Sequence, residues 1–75
     1  MAELKFEEVN SERIHSRAYD ADRKVIVLRF PDGAQYEYPN CDEQIWNEFR
    51  AAKSAGSFLY RQLNMKPYTR IDDWK

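Results

Sequence analysis

The sequence predicts an α+β fold, a three-stranded antiparallel β-meander followed by two short α-helices packed on one face of the sheet. Three observations carry that expectation. Side chains alternate in polarity with period two through residues 12–19, the spacing that separates the two faces of a strand, while residues 24–30 form a β-branched run and residues 34–38 end in an alternating Tyr-x-Tyr. Turn residues divide these runs, Asp20-Ala21-Asp22-Arg23 after the first and Pro31-Asp32-Gly33 after the second. Beyond Tyr38 the spacing becomes helical, and strands followed by helices point to helices laid on one side of an antiparallel sheet.

The elements follow in chain order. Residues 1–10 read as an N-terminal arm, with Leu4, Phe6 and Val9 free to dock on a domain spanning residues 11–68. The first strand places Ile14, Ser16 and Ala18 on one side and Arg13, His15, Arg17 and Tyr19 on the other. A β-branched strand over 24–30 and a third over 34–38 complete the meander. Asn40 or Asp42 can cap a helix that runs to about Ser54, with Ile45, Phe49 and Ala52 along one stripe and Trp46 beside it. Gly56 suits a helix end or an interhelical turn. Ser57 can then cap a second helix carrying Phe58, Leu59 and Leu63, ended before Pro67. Residues 69–75 read as a loose tail that Trp74 could pin.

The register of the second hairpin follows from its turn. Pro31 suits the first central position of a type I turn, and Gly33 the left-handed position after it. Phe30 and Ala34 then flank the loop, Leu28 faces Tyr36, and Ile26 faces Tyr38. The Tyr36-x-Tyr38 pair therefore shares the most apolar face and belongs to the core. If the first strand keeps Ile14 and Ala18 on that face, the opposite face collects Arg13, His15, Arg17, Tyr19, Val25, Val27, Arg29, Gln35 and Glu37. Such a face is basic.

Composition narrows the function classes. Seventy-five residues make one domain with one small core, burying roughly 60% of the surface the unfolded chain exposes. One cysteine, Cys41, and one histidine, His15, leave no disulfide framework and no Cys/His zinc site. No apolar run reaches the ~18 residues of a membrane span and no export signal is visible, so a cytoplasmic protein without cofactor, metal or membrane partner is expected. Cys41 as a small buried apolar residue is a better fit than a Cys–His pair, and no activated nucleophile or carboxylate pair stands out, so no enzyme is expected. Only Gly33 and Gly56 are present, too few for a glycine-rich phosphate loop.

Net charge is −1, yet its distribution is uneven. From Phe49 to Ile71 there is no acid, while Arg50, Lys53, Arg61, Lys66 and Arg70 are present. Within that stretch Ser54 and Ser57 bracket Gly56, a turn whose amides could hold a phosphate or carboxylate with help from Lys53 and Arg61, or whose serines merely cap.

Several of these pieces together resemble the KTSC domain, a short module at the C-terminus of some lysyl-tRNA synthetases and in small stand-alone bacterial proteins. The matching residues are Ser11-x-x-Ile14, Tyr19-Asp20, Phe30 with Gly33, Tyr36-Glu37-Tyr38, the run Ala52-Lys53-Ser54-Ala55-Gly56-Ser57-Phe58, and Leu63. Ala18 stands where the family usually has glycine, and Cys41-Asp42 where it favours Val-Pro. The resemblance implies RNA binding by association with a synthetase. The expected function is thus a small non-enzymatic binding module for RNA or another acidic partner. It would use Arg13, His15, Arg17 and Arg29 on the sheet, or Lys53, Arg61 and Lys66 around the second helix, with Tyr19 stacking a base. The alternative is a protein-interaction or accessory module, bacterial or phage, docking through Trp46, Trp74 and Tyr60.

Overall fold

The computed structural model describes residues 4–9, 11–64 and 66–72. The strands are β1 (Glu7–Glu8), β2 (Ser16–Asp20), β3 (Val25–Arg29), β4 (Ala34–Tyr38) and β5 (Thr69–Asp72); helix α1 (Glu43–Ala51) and the short α2 (Ala55–Phe58) lie between β4 and β5. They form one antiparallel sheet in the order β1-β2-β3-β4-β5. The sheet is therefore five-stranded, where three strands were expected. Glu7-Glu8 and Thr69-Arg70-Ile71-Asp72 lack the apolar alternation that marks a strand. They become strands because the outer edges of β2 and β4 offer unpaired backbone groups.

Turn chemistry sets both hairpins. Asp20 accepts the amides of Asp22 and Arg23 at 3.1 and 3.2 Å, and Lys24 closes the turn at φ 55°. In the second turn the Phe30 amide donates to the Ala34 carbonyl at 2.8 Å, Asp32 accepts the Ala34 amide at 2.9 Å, and Gly33 sits at φ 102°. Leu28 pairs with Tyr36 and Ile26 with Tyr38, the register that the turn implies.

The parity of β2 differs from expectation. Arg17 pairs with Leu28 and Tyr19 with Ile26, so both lie on the helix-covered face. Ser16 and Ala18 share the opposite face with Val27, Arg29, Gln35 and Glu37. The chain bends at His15, so counting by twos from Ile14 crosses an irregular residue and inverts the faces. Ile14 itself still enters the core. The opposite face accepts the small Ser16 and Ala18, and the ring of Phe6 lies 3.7 Å from the Arg29 guanidinium.

Asp42, not Asn40, caps α1, accepting the Ile45 amide at 3.0 Å. Ser54, not Ser57, caps α2, and Gly56 lies inside that helix rather than at a turn. α2 widens into a π-helical segment, Leu59–Leu63, closed by the Asn64 amide donating to the Leu59 carbonyl at 2.8 Å. Leu59 and Leu63 join Ile14, Ile26, Leu28, Tyr38, Cys41 and Phe49 in the core, while Tyr60 and Arg61 are left in solvent.

Candidate nucleic-acid interface

The bend before β2 and the turn between α1 and α2 bring two basic segments together. Ser11, Glu12 and Arg13 face Ser54, Gly56, Ser57 and Tyr60 across a cleft of about 420 Å³. A second cleft of about 280 Å³ is lined by Lys53, Ser54, Ser57, Phe58, Arg61 and Gln62. The two share Ser54 and Ser57, so the start of α2 forms a ridge between them.

Arg13 reaches this site from the sheet side. Its guanidinium lies 5.1 Å from the Tyr60 ring centroid, a cation–π contact, and its stem passes beside Gly56. Among the described residues, Arg13, Lys53 and Arg61 form no ion pair. Glu12 is the single acid lining either cleft.

Three other arginines are held by carboxylates. Arg17 and Arg50 converge on Glu7 Oε1 at 3.6 and 3.1 Å, and Arg23 pairs with Asp20 and Glu37. Arg17 is covered, its guanidinium 4.9 Å from the Phe49 ring and 5.7 Å from Trp46. Burial pulls its pKa below the ordinary value even with Glu7 beside it.

The expected basic sheet face is accordingly dispersed. Arg17 lies under α1, Arg29 donates to Gln35 at 3.0 Å on the far face, and His15 contacts the Ser16 hydroxyl at 3.1 Å at the bend. Lys66, expected beside Arg61, donates to the Asn40 carbonyl at 2.9 Å. Tyr19 is not on a wet face either: its hydroxyl donates to the Cys41 carbonyl at 2.8 Å, and its ring stacks on Trp46 at 5.5 Å. Burial and the nearby Asp42 raise its pKa.

Arg13, Lys53 and Arg61 are thus the sequence candidates brought together, with Tyr60 added. Tyr60 is 60% exposed, the most open large hydrophobic side chain described. Its place beside Arg61, three residues after Ser57, is the signal that could have joined it to this cluster. Cys41 offers no accessible thiolate; its thiol donates to the Pro39 carbonyl at 3.4 Å, and burial pushes its pKa up. Among the described residues no three metal-ligating side chains converge, and no helix is long and apolar enough to cross a membrane.

The KTSC domain family model matches residues 10–68, most of the chain. The chain belongs to the KTSC family. A protein of Tsukamurella paurometabola is 33% identical over 51 residues, covering 68% of this chain and 76% of that one. The crystal structure of a KTSC domain protein from Yersinia pestis superimposes with a TM-score of 0.81, covering 93% of this chain and 97% of that one at 24% identity. At that identity the likeness speaks for the fold. Within this KTSC domain, Asp42 supplies the cap of α1 with its own side chain. The Tyr36-x-Tyr38 motif lies in the core-facing half of β4, with Tyr36 stacked on Tyr68 at 5.3 Å.

Proposed function

We propose that this KTSC domain is a non-enzymatic, cytoplasmic binding module that holds RNA by its phosphates in the paired clefts. One observation carries the reading: Arg13, Lys53 and Arg61 line adjoining clefts, and among the described residues no acid pairs with them. A cation already paired gains little from a phosphate, because its own carboxylate must first be displaced. Unpaired cations release counterions from RNA instead, which makes binding depend on salt.

Three phosphate contacts correspond to a log–log salt slope of about −2 for a single strand, or a roughly 20-fold loss of affinity for a fourfold rise in salt. Fluorescence anisotropy with labelled RNA at two salt concentrations measures this. Arg13→Glu with Arg61→Glu should abolish binding, whereas Arg29→Gln on the far face should leave it nearly unchanged. Affinity indifferent to salt, or surviving the double reversal, sinks the proposal. The protein-docking alternative keeps less support, because Trp46 is stacked on Tyr19 and flanked by Arg17 and Arg50. Trp74 lies outside the described residues.

A further inference from the structure

We infer that the clefts take a single RNA strand rather than a duplex, laid across the Ser54–Ser57 ridge with one base stacked on Tyr60. The inference rests on the phosphate-binding reading above and adds the form of the ligand. Its first ground is the arrangement of charge. Arg13 lies in one cleft, Lys53 and Arg61 in the other, and the two share a wall. A compact anion would occupy one side only. A linear polyanion can place successive phosphates on both.

The second ground is the aromatic ring beside Arg13. Tyr60 is 60% exposed, and Arg13 lies 5.1 Å from its ring centroid. An exposed ring next to cations is the pairing that single-strand binders use, because every base has a π-face and stacking tolerates any sequence. Bases in a duplex already stack on their neighbours and have no face to offer, so Tyr60 contributes to strand binding alone.

The test uses the full chain and a short oligouridine carrying one 2-aminopurine, free or annealed into a duplex, with poly-glutamate as an acidic polymer lacking bases. The single strand should bind at least tenfold more tightly than the duplex at equal salt, and 2-aminopurine fluorescence should be quenched on binding. Tyr60→Ala should weaken strand binding by about 5- to 150-fold, the range of one lost stacking contact, with the salt slope unchanged. Tyr60→Trp should restore binding and quenching. Lys53→Ala should lower the slope by about 0.7 without touching the quenching.

If the duplex binds as tightly as the strand, or Tyr60→Ala binds like the parent, the strand inference fails while the phosphate reading stands. Poly-glutamate binding as tightly as the strand overturns both in favour of an acidic protein partner. Absence of salt-dependent binding to either RNA also overturns both.

Discussion

Tyr38→Phe should make this domain more stable, although it alters the Tyr36-x-Tyr38 motif. Tyr38 is 0% exposed, and its hydroxyl is buried without a hydrogen-bond partner. A buried polar group left unpaired costs about 1–3 kcal/mol. Removing it leaves the ring packing in place, with Tyr68 at 5.5 Å and Tyr36 at 6.1 Å. The void left by one oxygen returns a few tenths of a kcal/mol at about 24 cal/mol per Å³.

The net gain is therefore about 1 kcal/mol, which in a domain of this size raises Tm by about 4–8 °C. Thermal melts and urea titrations followed by circular dichroism measure it. Tyr36→Phe, at a half-buried position, is the control and should stay within about 0.5 kcal/mol of the parent. A loss of 1 kcal/mol or more on Tyr38→Phe would refute the reasoning, since only a satisfied hydroxyl is missed that much.

Alkaline pH tests the same burial through ionisation. The Tyr38 phenol and the Cys41 thiol are both raised above their ordinary values of 10.0 and 9.0, chiefly by desolvation. The folded state therefore holds these protons more tightly than the unfolded one. Their contribution is complete below the unfolded values and is lost as pH rises through the higher folded ones, so the urea midpoint should fall above about pH 9. Tyr38→Phe and Cys41→Ala should each flatten that fall. The two glycines should respond with opposite signs. Gly33→Ala strains a residue at φ 102° and should destabilise by about 1–2 kcal/mol. Gly56→Ala sits in a helix where the new methyl meets Arg13 Cδ at an ordinary 3.6 Å, and should stabilise by about 0.5–1 kcal/mol. Asp42→Ala removes the α1 cap and should cost about 1 kcal/mol by urea denaturation, with Asp42→Asn nearly neutral.

What was legible in the sequence is what a few neighbouring residues decide. Pro31, Asp32 and Gly33 prescribe a turn, the turn prescribes which residues face each other, and so Tyr36 and Tyr38 could be placed opposite Leu28 and Ile26 without coordinates. Asp42 was already one of two caps in view, and Lys53, Ser54, Ser57 and Arg61 already formed one cluster. The rest depended on contacts between distant segments. A bend at His15 reversed the faces of β2, carrying Arg17 and Tyr19 under α1 and leaving no continuous basic sheet face. Glu7–Glu8 and Thr69–Asp72 are too short and too polar to mark strands by themselves, and the open edges of β2 and β4 make strands of them. Arg13 joined the clefts because the segment before β2 packs beside Gly56 and Tyr60. The sequence alone thus determined the turns, the core row and the α+β class, through interactions that span a few residues. The tertiary structure decided which cations remain unpaired and meet, because that depends on where segments some forty residues apart come to rest.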